Sequence, residues 1–247
     1  MEKELTVIKV GTDTLFGKDG ELDLKAMNCI RDGIVAIQRV QRVLLVSSGA
    51  VARGRLALRH SSLALSRNPD DKRALSTVGQ PLLLADYQRI MGQQVAQFLV
   101  NEDRFSDSSQ REITRHIFAA LPEGVLPIAN GNDVQAKEDL TPNDNDQLAA
   151  RLAIILRATR LIMLTNVDGV LNGDPNHQQT SVIQAITSAE IETIISRYCH
   201  GSSNGGTGGM ASKLRAAQSA VNGGVTEVLI LNGKTFSLEG PCTKVAS

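Results

Sequence analysis

Residues 141–153 read TPNDNDQLAARLA, in which alternating Asn and Asp residues lead directly into an apolar run. Asp144 and Asn145 are residue types that cap the amino end of a helix. Leu148 and Leu152 follow at helical spacing, so the run predicts a helix with one buried face. A cap needs only one such side chain. The segment therefore allows two interpretations: a plain capped helix, or a capped helix that also presents carboxylates and amides for a function.

Short β-branched apolar runs alternate with longer helical patterns along the rest of the chain. The runs predict buried parallel strands at Leu5–Val10, Val43–Ser47, Val95–Val100, Val125–Ala129, Leu161–Thr165 and Glu227–Leu231. The longer patterns predict helices at Leu24–Gln41, Leu75–Met91, Arg111–Leu121, Gln147–Ala158 and Lys213–Asn222. The polar segment His60–Arg73 predicts a loop, either solvated or lying over a site. This βαβ alternation predicts an α/β sandwich.

Composition favours one domain, because 247 residues at 42% hydrophobic are enough to bury a substantial core. The 26 basic and 26 acidic residues balance, which argues against a general nucleic-acid or anionic-membrane binder. Cys29, Cys199 and Cys242 have the spacing of neither a disulfide framework nor a zinc site, which fits a reducing compartment. No secretory signal or membrane-spanning run is present. We expect a cytoplasmic protein without membrane or nucleic-acid partners.

Two predicted strands end in small residues. The first, VIKVGT, carries Lys9 within the strand and Gly11 at its end, and the second, VLLVSSGA, ends in Ser48 and Gly49. Ligands gather at the carboxyl ends of parallel strands, where glycine lets backbone N–H groups approach an anion. A tight turn from strand to helix explains either glycine equally well. A buried, unpaired lysine is costly, so we expect Lys9 to have an anionic partner.

A glycine-rich segment near the carboxyl end, GGTGGMASKLRAA, combines flexible backbone N–H donors with Lys213 in the first turn of an amphipathic helix. This combination suits a polyphosphate, and the alternative is a flexible loop with an incidental lysine. Neither the dinucleotide pattern GxGxxG nor a complete P-loop follows the first strand.

Seven motifs resemble, in order and spacing, those of the amino acid kinase superfamily, and most closely those of its glutamate 5-kinase family. The resemblance covers Val7 to about Leu231. It implies a three-layer αβα sandwich with a mostly parallel central sheet, in agreement with the βαβ alternation. The motifs are VIKVGT, VLLVSSGAVARGR, STVGQPLL, VLPIANGNDV, NDNDQLAA, LTNVDGV and GTGGMASKLRAA.

The resemblance implies transfer of the γ-phosphoryl group of ATP to the γ-carboxylate of glutamate. This chemistry implies Mg²⁺ on the ATP phosphates, with few protein ligands for the metal. Catalysis of this transfer is mostly positioning and electrostatic stabilisation. Lys9 and Lys213 match the two lysines that flank the transferring group, and Asp146 matches the carboxylate that holds both. No general base is needed, because the attacking carboxylate is already ionised at neutral pH.

The binding residues are likewise carried over from the family. The residues implied for the acceptor are Ser48, Asn130, Asp133, Asp144 and Asn145. Those implied for ATP are Lys9, Gly11, Gly49, Thr165, Asn166, Thr207, Gly208, Gly209, Met210 and Lys213. A plain turn at the end of a strand explains Thr165 and Asn166 equally well.

The chain departs from the family pattern at a few positions. Gly131 stands where a glutamate is common beside the acceptor, Asn166 stands where an aspartate is common beside ATP, and Asp13 replaces a small residue. Two alternatives follow: a kinase of the same superfamily for another small carboxylate or phosphate, favoured by Gly131, and a ligand-binding sensor without turnover, favoured by Asn166 and Asp13. The sensor is disfavoured because both lysines and Asp146 are retained.

The resemblance also implies an organisation and partners. Residues 1–247 are expected to form a single domain, with the acceptor bound by its amino-terminal part and ATP by its carboxyl-terminal part. Many bacterial glutamate 5-kinases carry a further RNA-binding-like PUA domain, which a chain of 247 residues is expected to lack. Family members form homo-oligomers, dimers or tetramers, are inhibited by proline, and pass their product to a glutamyl-phosphate reductase.

Overall fold

Apolar strands and amphipathic helices build one sheet between two helical layers. The structure is a computed structural model that describes residues 3–135, 144–174, 177, 179–199 and 209–247. Within these ranges the sheet has eight strands. They are β1 (Leu5–Val10), β2 (Arg42–Ser47), β3 (Gln94–Val100), β4 (Val125–Gly131), β5 (Arg160–Thr165), β6 (Ala185–Thr187), β7 (Glu227–Asn232) and β8 (Cys242–Ala246).

Helices connect most of these strands. The helices that the described ranges contain are α1 (Thr12–Leu15), α2 (Leu24–Gln38), α3 (Ala50–Ala57), α4 (Ser62–Leu65), α5 (Pro69–Met91), α6 (Ser108–Ala120), α7 (Asn145–Ile155), α8 (Ile191–Tyr198) and α9 (Met210–Asn222). None of the helices in this part of the chain is both long enough and apolar enough to cross a membrane.

The strand order is β3-β4-β2-β1-β5-β7-β8-β6. Every adjacent pair is parallel except β7 with β8, which is antiparallel. Strand β1 lies in the centre, where Lys9 pairs in register with Val46 of β2 and with Met163 of β5. The carboxyl ends of β1, β2, β4 and β5 therefore meet at one edge of the sheet.

The two faces of the sheet bury different residues of β1, as the alternation of a strand requires. Leu5 and Val7 pack in the cluster that includes α7, α9 and Phe118 of α6. Ile8 and Val10 pack in the cluster that includes α2 and α5. These helical layers on both faces confirm the predicted three-layer αβα sandwich with a mostly parallel sheet. Lys9 continues the face of Leu5 and Val7, so its side chain extends toward α7 and α9.

Helices α3 and α5 cross in very close contact because glycines lie at the crossing. A Cβ atom at Gly79 of α5 would lie 1.8 Å from the carbonyl oxygen of Ala50, and one at Gly54 of α3 would lie 2.0 Å from the carbonyl oxygen of Leu75. Such distances exclude any side chain at either position. The crossing therefore fixes the position of the next residue of α5, Gln80, whose Oε1 accepts a hydrogen bond from Asn130 of β4.

The six predicted strands and five predicted helices are all present, with boundaries that shift by a few residues. The predicted loop His60–Arg73 is wrong in part, because α4 lies within it and α5 begins at Pro69. Asn68 caps α5 by accepting a hydrogen bond from the backbone N–H of Asp70, and proline is favoured in a first turn. The prediction that β3 is buried is also wrong, because it is an edge strand whose Leu99 is 49% exposed.

Six short strands and α-helices within the described ranges were not predicted. Strands β6 and β8 and helices α1, α3, α4 and α8 have 3–8 residues each. Runs of this length contain too few periods to separate a helix or strand from a loop.

Candidate active site

Lys9 lies near the carboxyl end of the central strand, and it is buried. The residue is 5% exposed, and its Nζ lies 2.8 Å from Oδ1 of Asp146. The expectation that Lys9 has an anionic partner is therefore confirmed. The partner comes from the amino end of α7, which packs on the same face of the sheet as Leu5 and Val7.

Asp146 is shared between two lysines. Nζ of Lys213 lies 3.0 Å from each carboxylate oxygen of Asp146, so both ammonium groups contact one carboxylate. Asp146 is 1% exposed and lies in the first turn of α7, where the helix dipole favours a negative charge. Lys213 lies in the first turn of α9, which packs against α7. Three elements distant in sequence thus meet at one carboxylate.

The lysine cluster, consisting of Lys9, Asp146 and Lys213, carries one surplus positive charge. Burial, together with repulsion from Lys213, lowers the pKa of Lys9 from 10.5 to about 8 despite its contact with Asp146. Burial alone would raise the pKa of Asp146, but the charges of Lys213 and Lys9 and their hydrogen bonds outweigh it and hold the pKa below its usual value. The cluster is therefore suited to binding a further anion.

A carboxylate joins the amino ends of α7 and α9. Asp144 is the N-cap of α7, where its Oδ1 accepts a hydrogen bond of 2.9 Å from the backbone N–H of Asp146. Its other oxygen, Oδ2, accepts a hydrogen bond from the Ser212 hydroxyl of α9. The two bonds fix the position of Asp146 relative to Lys213. The predicted cap is confirmed, and the role of Asp144 in binding the acceptor stays a prediction.

Buried amides form a hydrogen-bonded chain beside the lysine cluster. Asn145 accepts a bond from the backbone N–H of Gly131 at 3.2 Å and donates from Nδ2 to Ser48 Oγ at 2.8 Å and to Asn130 Oδ1 at 2.9 Å. Asn130 in turn donates from Nδ2 to Gln80 Oε1 at 2.8 Å. We call Asn145, Asn130 and Gln80 the amide relay. It brings the predicted acceptor residues Ser48, Asn130 and Asn145 together.

A buried tyrosine of α5, Tyr87, fixes the end of β2. Ser47 Oγ lies 2.8 Å from the Tyr87 hydroxyl and donates its own proton to the carbonyl of Ser48. Tyr87 therefore donates to Ser47. Tyr87 is fully buried, and burial raises the pKa of its hydroxyl, so the donor keeps its proton. This arrangement sets the position of Ser48 in the site.

The glycines at the helix starts adopt the turns that the sequence allowed. Gly11 and Gly49 are the N-caps of α1 and α3, and Gly209 is the N-cap of α9. Gly49 has φ +109°, a backbone conformation that residues other than glycine rarely adopt. The interpretation as strand-to-helix turns is confirmed for Gly11 and Gly49, and their contact with phosphate stays a prediction.

Four further predicted residues lie around the same edge of the sheet. Thr165 ends β5, and Asn166 follows it, accepting a hydrogen bond of 3.1 Å from the Thr14 hydroxyl. Asp133 begins a short 3-10 helix that packs against α5 beyond the end of β4. Met210 is the first residue of α9. Thr207 and Gly208 lie outside the described residues.

Three contributors to the site were missed from the sequence: Gln80, Tyr87 and Ser212. Gln80 lies in the motif STVGQPLL and Ser212 in GTGGMASKLRAA, so both motifs were noticed without a role for these side chains. A glutamine directly after a glycine in an apolar helix was the available signal for Gln80. Nothing local distinguished Tyr87, because its partner is distant in the chain.

The model of the family described as the amino acid kinase family matches residues 4–232. The chain belongs to the amino acid kinase family. The matched residues include β1, which carries Lys9, and the start of α9, which carries Lys213.

Relatives and solved structures agree with the family. The glutamate 5-kinase of Bacteroides thetaiotaomicron is 34% identical over 242 residues, which cover 95% of this chain and 66% of that protein. The glutamate 5-kinase of Synechococcus sp. strain JA-3-3Ab is 36% identical over 236 residues, or 92% of this chain and 62% of that protein. This amino acid kinase chain thus spans just under two thirds of their length.

The fold is also that of a solved carbamate kinase. The enzyme from Giardia lamblia bound to AMP-PNP superimposes with a TM-score of 0.70 over 99% of both chains, at 17% identity. At this identity the likeness shows the amino acid kinase fold alone.

The charge balance of the lysine cluster predicts that two substitutions affect stability very differently. Asp146→Asn leaves two buried ammonium groups without a counter-charge, so we expect the free energy of unfolding to fall by about 3–5 kcal/mol. Lys9→Met leaves a neutral Asp146–Lys213 pair, so we expect the stability to stay within about 1 kcal/mol of the unaltered protein or to rise. Urea unfolding at neutral pH measures both. Equal destabilisation by the two substitutions, or a stable Asp146→Asn variant, would contradict the account.

Proposed function

We propose that the chain is an ATP-dependent glutamate 5-kinase, which phosphorylates the γ-carboxylate of L-glutamate to L-glutamyl 5-phosphate in the first step of proline biosynthesis. The observation that carries the proposal is the lysine cluster: two buried ammonium groups on one carboxylate, beside the hydrogen-bonded amide relay. The identity of 34–36% to glutamate 5-kinases over more than nine tenths of the chain supports it.

The proposed mechanism is an in-line transfer. A γ-carboxylate oxygen of glutamate attacks the γ-phosphorus of ATP, the bond from that phosphorus to the β-phosphate oxygen breaks, and ADP leaves. Negative charge spreads over the transferring group and both flanking oxygens. Lys9 and Lys213 stabilise this charge, and Asp146 keeps their ammonium groups a fixed distance apart. Because the cluster is buried, these interactions are stronger than they would be in water.

The acceptor is proposed to bind at the amide relay and its neighbours. Asn145 is adjacent in sequence to Asp146, so an acceptor held by Asn145 and Ser48 has its attacking oxygen near the lysines. Asp133, at the start of the 3-10 helix beside α5, suits the ammonium group of an amino acid. Asp144 completes the proposed set.

ATP is proposed to bind to the carboxyl-terminal part of the chain. The amino end of α9, with Gly209 and Met210, offers backbone N–H groups and a helix dipole to the phosphates. Gly11 and Gly49 are proposed to add donors from the ends of β1 and β2. Thr165 and Asn166 are assigned to the nucleoside, and Thr207 and Gly208 to the phosphates.

Mg²⁺ is proposed to enter with ATP. The described residues contain no group of three or more His, Cys, Asp or Glu side chains that would hold a metal ion, and both oxygens of Asp146 are bound by lysines. Mg²⁺ in kinases is usually held by substrate phosphates and water with few protein ligands. The residues fit such an ion, which would supply charge neutralisation on the phosphates.

Gly131 favours a second candidate, an amino acid kinase for another small carboxylate or phosphate. A glycine there removes the carboxylate that is common in the glutamate 5-kinase pattern. The hydrogen bond to Asn145, however, comes from the backbone N–H of residue 131, which any non-proline residue supplies. The amide relay is therefore independent of the missing side chain, and glutamate remains the first choice.

Further features of glutamate 5-kinases are proposed for the chain on the same grounds. They are a cytoplasmic location, association into dimers or tetramers, feedback inhibition by proline, and transfer of the unstable product to a glutamyl-phosphate reductase.

Hydroxylamine trapping tests the proposed reaction. Purified protein with Mg·ATP, L-glutamate and hydroxylamine should form γ-glutamyl hydroxamate, measured by its ferric complex and by mass spectrometry. Lys213→Ala should reduce the rate by about 10²-fold or more, because a group that stabilises the transition state is lost. Lys244→Ala, on the exposed part of β8, is the matched control and should keep the full rate. Absence of hydroxamate, or a decisive preference for another acceptor in a panel of carboxylates, would reject glutamate.

The lowered pKa of Lys9 predicts an alkaline limit on activity. Lys9 is charged below its pKa of about 8 and neutral above it, so raising the pH past this value removes one positive charge from the lysine cluster. The ratio kcat/KM for ATP reports on the free enzyme and should fall above an apparent pKa near 8. Steady-state kinetics from pH 6 to about pH 10, with stability checked at each pH, measures it. A profile that stays flat to the alkaline end would contradict the assignment of Lys9.

A further inference from the structure

The amide relay has a direction that chemistry fixes. The backbone N–H of Gly131 can only donate, so the side-chain atom of Asn145 that faces it is the oxygen. Nδ2 of Asn145 then donates to Oδ1 of Asn130, and Nδ2 of Asn130 donates to Oε1 of Gln80. Every amide in the relay is therefore held in one orientation. The relay ends in the NH₂ group of Gln80.

This terminal donor is unused within the described part of the chain. Gln80 is 7% exposed, and the bond from Asn130 occupies its oxygen while Nε2 donates to no described residue. Nε2 is not among the buried side-chain atoms of the described residues that lack a partner, so this donor stays accessible to solvent although most of Gln80 is buried. Asn130 and Asn145, in contrast, both use their Nδ2 groups. A ligand that offers an acceptor oxygen would supply the missing partner.

Gln80 lies at the end of the relay that is remote from the lysine cluster. Asn145 neighbours Asp146, and Asn130 and then Gln80 follow along the relay. The glycine crossing of α3 and α5 holds Gln80 in this place, because Gly79 contacts the backbone of Ala50. An acceptor whose reacting carboxylate lies at the lysines therefore extends its other end toward Gln80.

We infer that Gln80 is a specificity-determining residue of the acceptor site, whose Nε2 donates a hydrogen bond to the carboxylate of the substrate that is not phosphorylated. For L-glutamate this is the α-carboxylate. The inference rests on the proposed function, in that the acceptor is a dicarboxylate. Gln80 selects for an acceptor oxygen at that position, because its Oε1 is turned to Asn130 and its Nε2 protons remain available.

The substitution Gln80→Glu replaces the donor Nε2 by an acceptor oxygen. It keeps the shape of the side chain and the hydrogen bond from Asn130. The second carboxylate oxygen of the substituted side chain repels the α-carboxylate of the substrate. It accepts a hydrogen bond, however, from a substrate that carries an α-amide. We expect KM for L-glutamate to rise roughly tenfold or more, with KM for ATP within about twofold of the unaltered value. We also expect the preference for L-glutamate over its α-amide to fall by roughly tenfold or more.

Two further variants test whether the effect on KM is specific to the donor group of Gln80. Gln88→Glu places the same substitution on the exposed face of α5 and should leave both constants unchanged. Gln80→Met removes the terminal donor at similar chain length and should raise KM for glutamate even if Gln80→Glu does not fold. Thermal unfolding of each variant separates binding from stability.

The outcomes distinguish this inference from the proposed function. If the unaltered protein phosphorylates another dicarboxylate instead, the proposed function fails, and the same comparison is made with that acceptor and its monoamide. An unchanged KM for the acceptor in a folded Gln80 variant overturns the inference. An equal loss with both substrates that tracks a lower Tm also overturns it, because Gln80 would then be structural.

Discussion

A single carboxylate between two buried ammonium groups is the constraint on which the rest of the site depends. Asp146 is 1% exposed and Lys9 is 5% exposed, so neither charge is stabilised by water. Burial of an ion is tolerated only where partners compensate it with good geometry. The lysines and the carboxylate can satisfy one another only if β1, α7 and α9 are all in place. The charges of the site thus require the tertiary fold that surrounds them.

The same constraint explains why the surroundings are so closely fixed. Asp144 caps α7 and accepts from Ser212 of α9, which sets the separation of the two helix starts. The amide relay begins one residue from Asp146, and the close α3–α5 crossing holds its far end. Positioning of this kind lets a kinase stabilise developing charge without reorganisation during the reaction. A surplus positive charge at one end and oriented amides at the other suit an acceptor that is anionic and polar along its length.

Much of this arrangement followed from local sequence. The alternation of apolar runs and helical patterns predicted the sandwich, since both periods are properties of single elements. Lys9 in a buried strand required an anion, and Asp144 predicted the start of a helix. The resemblance of the motifs then indicated that Lys9, Asp146 and Lys213 belong together, which local patterns alone do not show, because three distant segments meet there.

What the sequence did not predict depends on non-local contacts. The role of Gln80 depends on the hydrogen bonds that orient Asn145 and Asn130. The role of Tyr87 depends on its contact with Ser47. Strand β8 reverses the sheet direction through pairing with β7 rather than through any signal of its own. The exposure of β3 likewise follows from its place at the edge, which the composition of a strand does not determine.

Transfer of phosphate to a carboxylate oxygen is tested most directly by an isotope label. L-Glutamate carrying ¹⁸O in its γ-carboxylate is incubated with the protein, Mg·ATP and hydroxylamine, and the released phosphate is analysed by ³¹P NMR. Hydroxylamine attacks the carbonyl carbon of an acyl phosphate, so the bridging oxygen leaves with the phosphate. The proposed reaction predicts phosphate that contains one ¹⁸O atom. Phosphate without the label would show that water attacks ATP, and it would contradict the proposed role of the site.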